Sequence, residues 1–213
     1  MNITVNGVNL FYEVYGHGKE LILLHGNEET HEIFLPIINE LKKQYKIYAI
    51  DSRNHGKSEM TTIFDYEVMA NDIKEFIEVL NINNPHLIGF SDGGIIGLHL
   101  SLSEVQIDKL VLMGVNTKTE GLLDSFINEY KDDLNPYNQM MFNQKEITKS
   151  MLNKINNEVL VMFGDNDLIK KEHQTYINEN IEKSKLIILK GHDHFSYLSD
   201  ISDSLKIIKS FLK

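Results

Sequence analysis

Gly89-Phe90-Ser91-Asp92-Gly93 follows the apolar run His86-Leu87-Ile88 and precedes Gly94-Ile95-Ile96-Gly97-Leu98-His99-Leu100. That order reads as a strand, a sharp turn and a helix. A serine at such a turn projects its hydroxyl clear of the sheet, over the positive end of a helix dipole. A side chain at either flanking glycine would crowd the strand against the helix. A serine hydroxyl is a poor nucleophile at neutral pH. It needs a general base in hydrogen-bond reach, and the base needs a carboxylate to orient it.

Two later loops offer those groups. Gly164-Asp165-Asn166-Asp167 follows an apolar run at 159–163, and either aspartate can be the acid. Read as a plain turn, the same loop would cap the next helix through Asp165 or Asn166. Gly191-His192-Asp193-His194 follows a second apolar run at 185–189, and one of its histidines is the candidate base. His-Asp-His is also rich in metal ligands, but no second histidine cluster stands elsewhere to complete a metal site. Acyl transfer needs donors for the developing oxyanion as well. The Asp92 backbone N–H opens the helix after Ser91 and is one candidate. The loop His25-Gly26-Asn27 supplies the Asn27 N–H as the other, with His25 as a structural support of that loop.

Groups this far apart in sequence meet only if their loops share one edge of a sheet. The hydrophobic pattern provides one. Residues 3–5 and 8–14 flank Asn6-Gly7, a strong hairpin signal of type I′. Apolar runs at 20–24, 45–50, 86–88, 107–115, 158–163 and 185–189 read as buried strands. Helical segments are read at 29–44, 65–80, 94–100, 170–182 and 195–212. Strands alternating with helices predict an α/β fold, a mostly parallel central sheet with helices on both faces. The segment 119–157 breaks the alternation, being too long for one crossover helix. Its last part, 146–155, is expected to be helical.

The chain has 213 residues, enough for one domain with a sizeable core. It has no cysteine, which excludes disulfides, thiolate metal sites and a cysteine nucleophile. Its formal net charge of -10 disfavours nucleic acid and anionic membrane surfaces as partners. The N-terminus has no signal-peptide pattern, and no apolar run reaches spanning length, so a cytoplasmic location is expected.

Taken together, these motifs resemble the α/β-hydrolase superfamily over essentially the whole chain. The order Ser91, Asp167, His194 is that family's order of nucleophile, acid and base. The resemblance selects Asp167, three residues after Gly164, over Asp165. It selects His194, followed by Phe195 and a short helix, over His192. Asp51-Ser52-Arg53-Asn54-His55-Gly56-Lys57-Ser58 resembles the family's Asp-x-Arg-Gly-x-Gly-x-Ser loop, with Asn54 where glycine is usual. Asparagine tolerates a left-handed backbone, so the turn can persist. Arg53 is the chain's one arginine and is expected to make a forked structural contact behind the site. Glu28 and Glu29 stand where small residues are common. They are either charges at the mouth of the site or solvated residues that help start the next helix. The family inserts a cap where residues 119–146 fall, and Phe90, Phe126, Tyr137 and Met141 are candidates for the substrate pocket.

The resemblance implies a serine hydrolase for small neutral carboxylic esters that needs no metal or organic cofactor. It also implies a small-molecule partner and a monomer or homodimer. Serine at position 91 argues against the branches that use aspartate there. The same triad would serve acyl transfer, perhydrolysis or cleavage of an amide or carbon–carbon bond. A binding protein on this fold is the rival of another class.

Overall fold

The structure is a computed structural model and describes residues 1–213. Eight strands form one sheet in the order β1-β2-β4-β3-β5-β6-β7-β8. They are β1 (Asn2–Val5), β2 (Val8–Tyr15), β3 (Lys19–Leu24), β4 (Tyr45–Ile50), β5 (His86–Phe90), β6 (Lys109–Met113), β7 (Glu158–Gly164) and β8 (Ser184–Leu189). β1 and β2 pair antiparallel, as do β2 and β4, and every other pairing is parallel. Asn6 (φ 47°) and Gly7 (φ 76°) both take positive φ, the backbone that a type I′ hairpin requires.

The central strands are apolar on both faces because both faces are covered. Leu87, Leu110 and Leu112 point into one core layer, and Ile88, Phe90, Val111 and Met113 into the other. The first layer is closed by α2 (Tyr66–Val79), α3 (Asp92–Ser101) and α7 (Lys171–Glu179). Also packed in that layer are three short helices between β6 and β7: α4 (Asp124–Tyr130), α5 (Pro136–Phe142) and α6 (Lys149–Leu152). The opposite layer is closed by α1 (Leu35–Leu41), α8 (Ser196–Ser199) and α9 (Ser202–Phe211). No helix is long and apolar enough to cross a membrane.

Three helices are shorter than their spacing predicts. The segment from residue 29 opens as a 3₁₀ turn, His31–Phe34, and α1 follows with Pro36 in its first turn. The cause is remote in sequence. The Asp51 carboxylate accepts from both the His31 backbone N–H (2.8 Å) and its ring Nδ1 (2.7 Å), tying residue 31 to the loop after β4. Between 146 and 155 only α6 is α-helical. Ile147 is fully buried and donates its N–H to Thr117 O (2.9 Å), which holds the chain extended up to Thr148. The C-terminal segment divides into α8 and α9, with the Ser204 hydroxyl donating back to Tyr197 O (2.8 Å).

Arg53 is buried and meets Asp72 in a fork, Nε to Oδ2 at 2.5 Å and Nη2 to Oδ1 at 2.6 Å. That geometry needs a guanidinium and ties the loop after β4 to α2. Asn54 sits at φ 65°, the left-handed backbone expected of it.

Candidate active site

The turn between β5 and α3 holds Ser91 at φ 50°, ψ -115°, a backbone that an L-residue adopts only under constraint. The Ser91 N–H donates to Met113 O (2.8 Å), and its carbonyl accepts from Gly94 N–H (2.8 Å). The flanking glycines leave no room for more. A Cβ on Gly89 would lie 2.3 Å from Gly93 O, and one on Gly93 would lie 2.0 Å from Leu24 O. The first turn of α3 therefore rests directly on the end of β3, which brings Ser91 beside the loop that follows it.

His194 lies on the loop between β8 and α8. Its Nε2 is 3.2 Å from Ser91 Oγ, and its Nδ1 is 2.8 Å from Asp167 Oδ1. Asp167, on the loop after β7, is buried and also accepts from the N–H groups of Ile169 (3.1 Å) and Gly164 (3.3 Å). Serine hydroxyl, imidazole and carboxylate thus form one hydrogen-bonded chain drawn from three loops at the C-terminal edge of the sheet. Asp165 and His192 take no part in it. Asp165 accepts from Gly191 N–H (2.8 Å), and His192 Nδ1 meets Ser196 Oγ (3.2 Å). Asp165 ties the loop after β7 to the loop after β8, and His192 closes a local turn.

Packing fixes the imidazole further. Phe90 lies with its ring centroid 5.0 Å from that of His194, tilted by 42°. Gly114 (φ +63°) passes behind the ring, where a Cβ would come within 2.6 Å of His194 Cε1. Tyr197 is fully buried beside Asp167. Neither Gly114 nor Tyr197 stands out in the sequence, because strand-end glycines and core tyrosines carry no distinctive spacing.

The loop after β3 faces Ser91. His25 is buried, and burial, reinforced by neighbouring His55, lowers its pKa to about 4. It is neutral, with Nδ1 bonded to Gly26 O (2.7 Å) and Nε2 accepting from Ser52 N–H (3.0 Å). This is the supporting part expected of it. The backbone N–H groups of Asn27 and Asp92 donate to no acceptor within the protein. Glu29 departs from both readings of it. Its Oε2 turns back to accept from Gly26 N–H (3.0 Å), while the Glu29 N–H donates to Gly26 O (3.4 Å). Burial pushes its pKa up to about 7, and the charge of Asp92 adds to the shift.

The pocket candidates separate. Phe90 lies against the His194 ring, as above. Tyr137, at the start of α5, donates its hydroxyl to Asn54 O and packs edge-on against His55 (4.8 Å). Phe126 pairs with Tyr130 (4.9 Å) within α4, and Met141 is buried in the core layer beneath α5.

Asp92 is the electrostatic outlier. It is 3% exposed, and burial pushes its pKa up to about 7. An unfolded aspartate loses its proton near 3.8. Folding is therefore favoured by this group below pH 3.8, and that contribution disappears as pH rises through about 7. Asp92→Asn removes the penalty. Its stability gain over the wild type should grow between pH 4 and pH 8 by on the order of a few kcal/mol, measured by urea unfolding at both pH values. A gain independent of pH would contradict this electrostatic account.

A family profile described as "alpha/beta hydrolase fold" matches residues 20–138. The chain is 38% identical over 114 residues to the AB hydrolase superfamily protein YisY of Bacillus subtilis, an alignment covering 52% of this chain and 42% of that one. It thus spans less than half of that relative's length. Among solved structures, the esterase EaEST of Exiguobacterium antarcticum superposes with a TM-score of 0.83 at 26% identity, covering 99% of this chain and 98% of that one. The esterase RhEst1 of Rhodococcus sp. ECU1013 superposes with a TM-score of 0.86 at 19% identity, covering 99% and 96%, which is likeness of fold alone.

Proposed function

The chain belongs to the α/β-hydrolase family, and from that premise we propose that it is a hydrolase that cleaves small carboxylic esters through a covalent acyl-serine. The observation that carries this reading is the hydrogen-bonded chain Ser91–His194–Asp167 beside two unused backbone donors. The likeness to an esterase at 26% identity supports the same substrate class.

Ser91 Oγ attacks the acyl carbon while His194 Nε2 takes its proton. Asp167 accepts from His194 Nδ1–H, fixes that tautomer and stabilises the imidazolium. The Asn27 and Asp92 amides stabilise the oxyanion of the tetrahedral intermediate. The intermediate collapses, and His194 returns the proton to the leaving alcohol. His194 then activates a water molecule that attacks the acyl-serine and frees the acid.

Residues 119–146 form the cap in this reading. α5 is tied to the loops beside the site by Asn135 Nδ2 donating to Glu28 Oε1 (3.0 Å) and by the Tyr137 hydroxyl on Asn54 O. Those contacts support a role for Tyr137 at the rim of the pocket, with Phe90 at its floor. Phe126 and Met141 then shape the cap.

The acid assignment has a direct check. Asp167→Asn keeps the side-chain shape but favours the wrong imidazole tautomer. It should lower turnover of p-nitrophenyl acetate by ~10⁴-fold. Asp165→Asn should leave most of the rate, since Asp165 touches Gly191 N–H and not His194. Equal effects of the two substitutions would show that the carboxylate comes from elsewhere.

A further inference from the structure

The loop after β3 lies directly against the residues that flank Ser91. A Cβ on Gly26 would come within 3.0 Å of the Phe90 ring, and one on Gly93 would lie 2.0 Å from Leu24 O and 2.7 Å from His25 O. Packing thus fixes the backbone from 24 to 26. Asn27 comes next and lacks such a hold. Its N–H donates to no acceptor within the protein, and its Oδ1 accepts from no donor. The direction of that N–H is set by the turn it belongs to. Gly26 O accepts from Glu29 N–H (3.4 Å), and Glu28, the third residue of the turn, has φ 55°. Turns favour glycine or asparagine where φ is positive. A glutamate there is strained, and such a residue persists only when its surroundings hold it.

The Glu29 side chain supplies that hold. Its Oε2 reaches back across the turn and accepts from Gly26 N–H (3.0 Å). The two residues are therefore joined twice, once through each N–H. Starting the next helix does not require this carboxylate. Thr30 already caps the 3₁₀ turn, its Oγ1 accepting from Glu32 N–H (3.3 Å). Burial of Glu29 is unfavourable for its charge, and no cation offsets it. A glutamate with no task in the loop would leave its carboxylate in solvent, whereas this one is drawn in over Gly26.

We propose that Glu29 is a positioning residue of the hydrolytic reaction, its carboxylate clipping the turn 26–29 so that the Asn27 N–H is aimed at the oxyanion formed on Ser91. The inference rests on the ester-hydrolase reading above and adds to it a residue that does not touch substrate. The clip acts on the transition state. A substrate carbonyl oxygen carries little charge, so an ill-aimed donor weakens binding little. In the tetrahedral intermediate the same oxygen carries a full negative charge, and the donor must already be in line. Acylation and deacylation both pass through such an intermediate, so both slow when the clip is lost. The loss then falls on kcat rather than on KM.

The test measures kcat and KM for p-nitrophenyl acetate in the wild type, Glu29→Ala, Glu29→Met and Glu29→Gln. Urea midpoints show that each variant is folded, and Glu29→Met fills the space of the side chain should alanine loosen the loop. Alanine and methionine should each lower kcat by about 10²-fold, the scale of one lost oxyanion donor, with KM changed by less than about threefold. Glu29→Gln should recover most of that loss, because an amide oxygen accepts from Gly26 N–H as a carboxylate oxygen does. A kcat that stays within about threefold of the wild type's in both Glu29→Ala and Glu29→Met, with turnover still dependent on Ser91, would overturn the clip and leave the hydrolase reading standing. Equal losses in all the variants, or a loss confined to KM, would overturn it too. A wild type without Ser91-dependent turnover would overturn the ester reading and this inference with it.

Discussion

Ser91→Ala is expected to lower turnover of p-nitrophenyl acetate by ~10⁶-fold while the fold is retained. The hydroxyl is the group that forms the covalent bond, so no neighbour can replace it. Alanine fits the turn, because the constraint at φ 50° acts on the backbone, which Met113 O and the Gly94 N–H hold in place. The backbone donors of Asn27 and Asp92 remain in the variant. They should leave a residual rate ~10³–10⁴ above that of water. Circular dichroism and a urea midpoint close to the wild type's would separate lost chemistry from lost structure. A variant keeping more than a tenth of the wild-type rate would rule out Ser91 as the nucleophile.

His194→Ala should be nearly as damaging, and the double variant with Ser91→Ala should be little worse than either single one. The two side chains act as a unit, so their effects on kcat do not add. His192→Ala is the matched control two residues away. It loses a contact with Ser196 Oγ and no contact with Ser91 or Asp167, so most of the activity should survive. Steady-state kinetics on the three variants gives the ranking. A large loss on His192→Ala with little on His194→Ala would reverse the assignment of the base.

Much of this was legible because it is local or periodic. Central strands with both faces covered read as unbroken apolar runs, and Asn6-Gly7 announces its hairpin through the φ values it must adopt. The glycines at 89 and 93 mark the close approach of strand and helix, and the geometry gives the reason at 2.3 and 2.0 Å. The late start of α1 was not legible, since it depends on Asp51 reaching back to His31 from the next strand. The extended stretch before α6 depends likewise on Thr117. At the site, resemblance separated Asp167 from Asp165 and His194 from His192, where spacing alone left both pairs open. Glu29 and Asp92 show the limit most clearly. Their identities are plain in the sequence, but the burial that raises the pKa of each exists only in three dimensions.

The most direct measurement is to treat the folded protein with a fluorophosphonate and locate the adduct by mass spectrometry of its peptides. A serine activated by an adjacent imidazole and facing an oxyanion site attacks the phosphorus, expels fluoride and becomes covalently phosphonylated. One adduct per chain is expected, on Ser91, with labelling abolished by Ser91→Ala and strongly slowed by His194→Ala. A wild-type protein that stays unlabelled, or that is labelled at another residue, would contradict the assignment of Ser91 as an activated nucleophile.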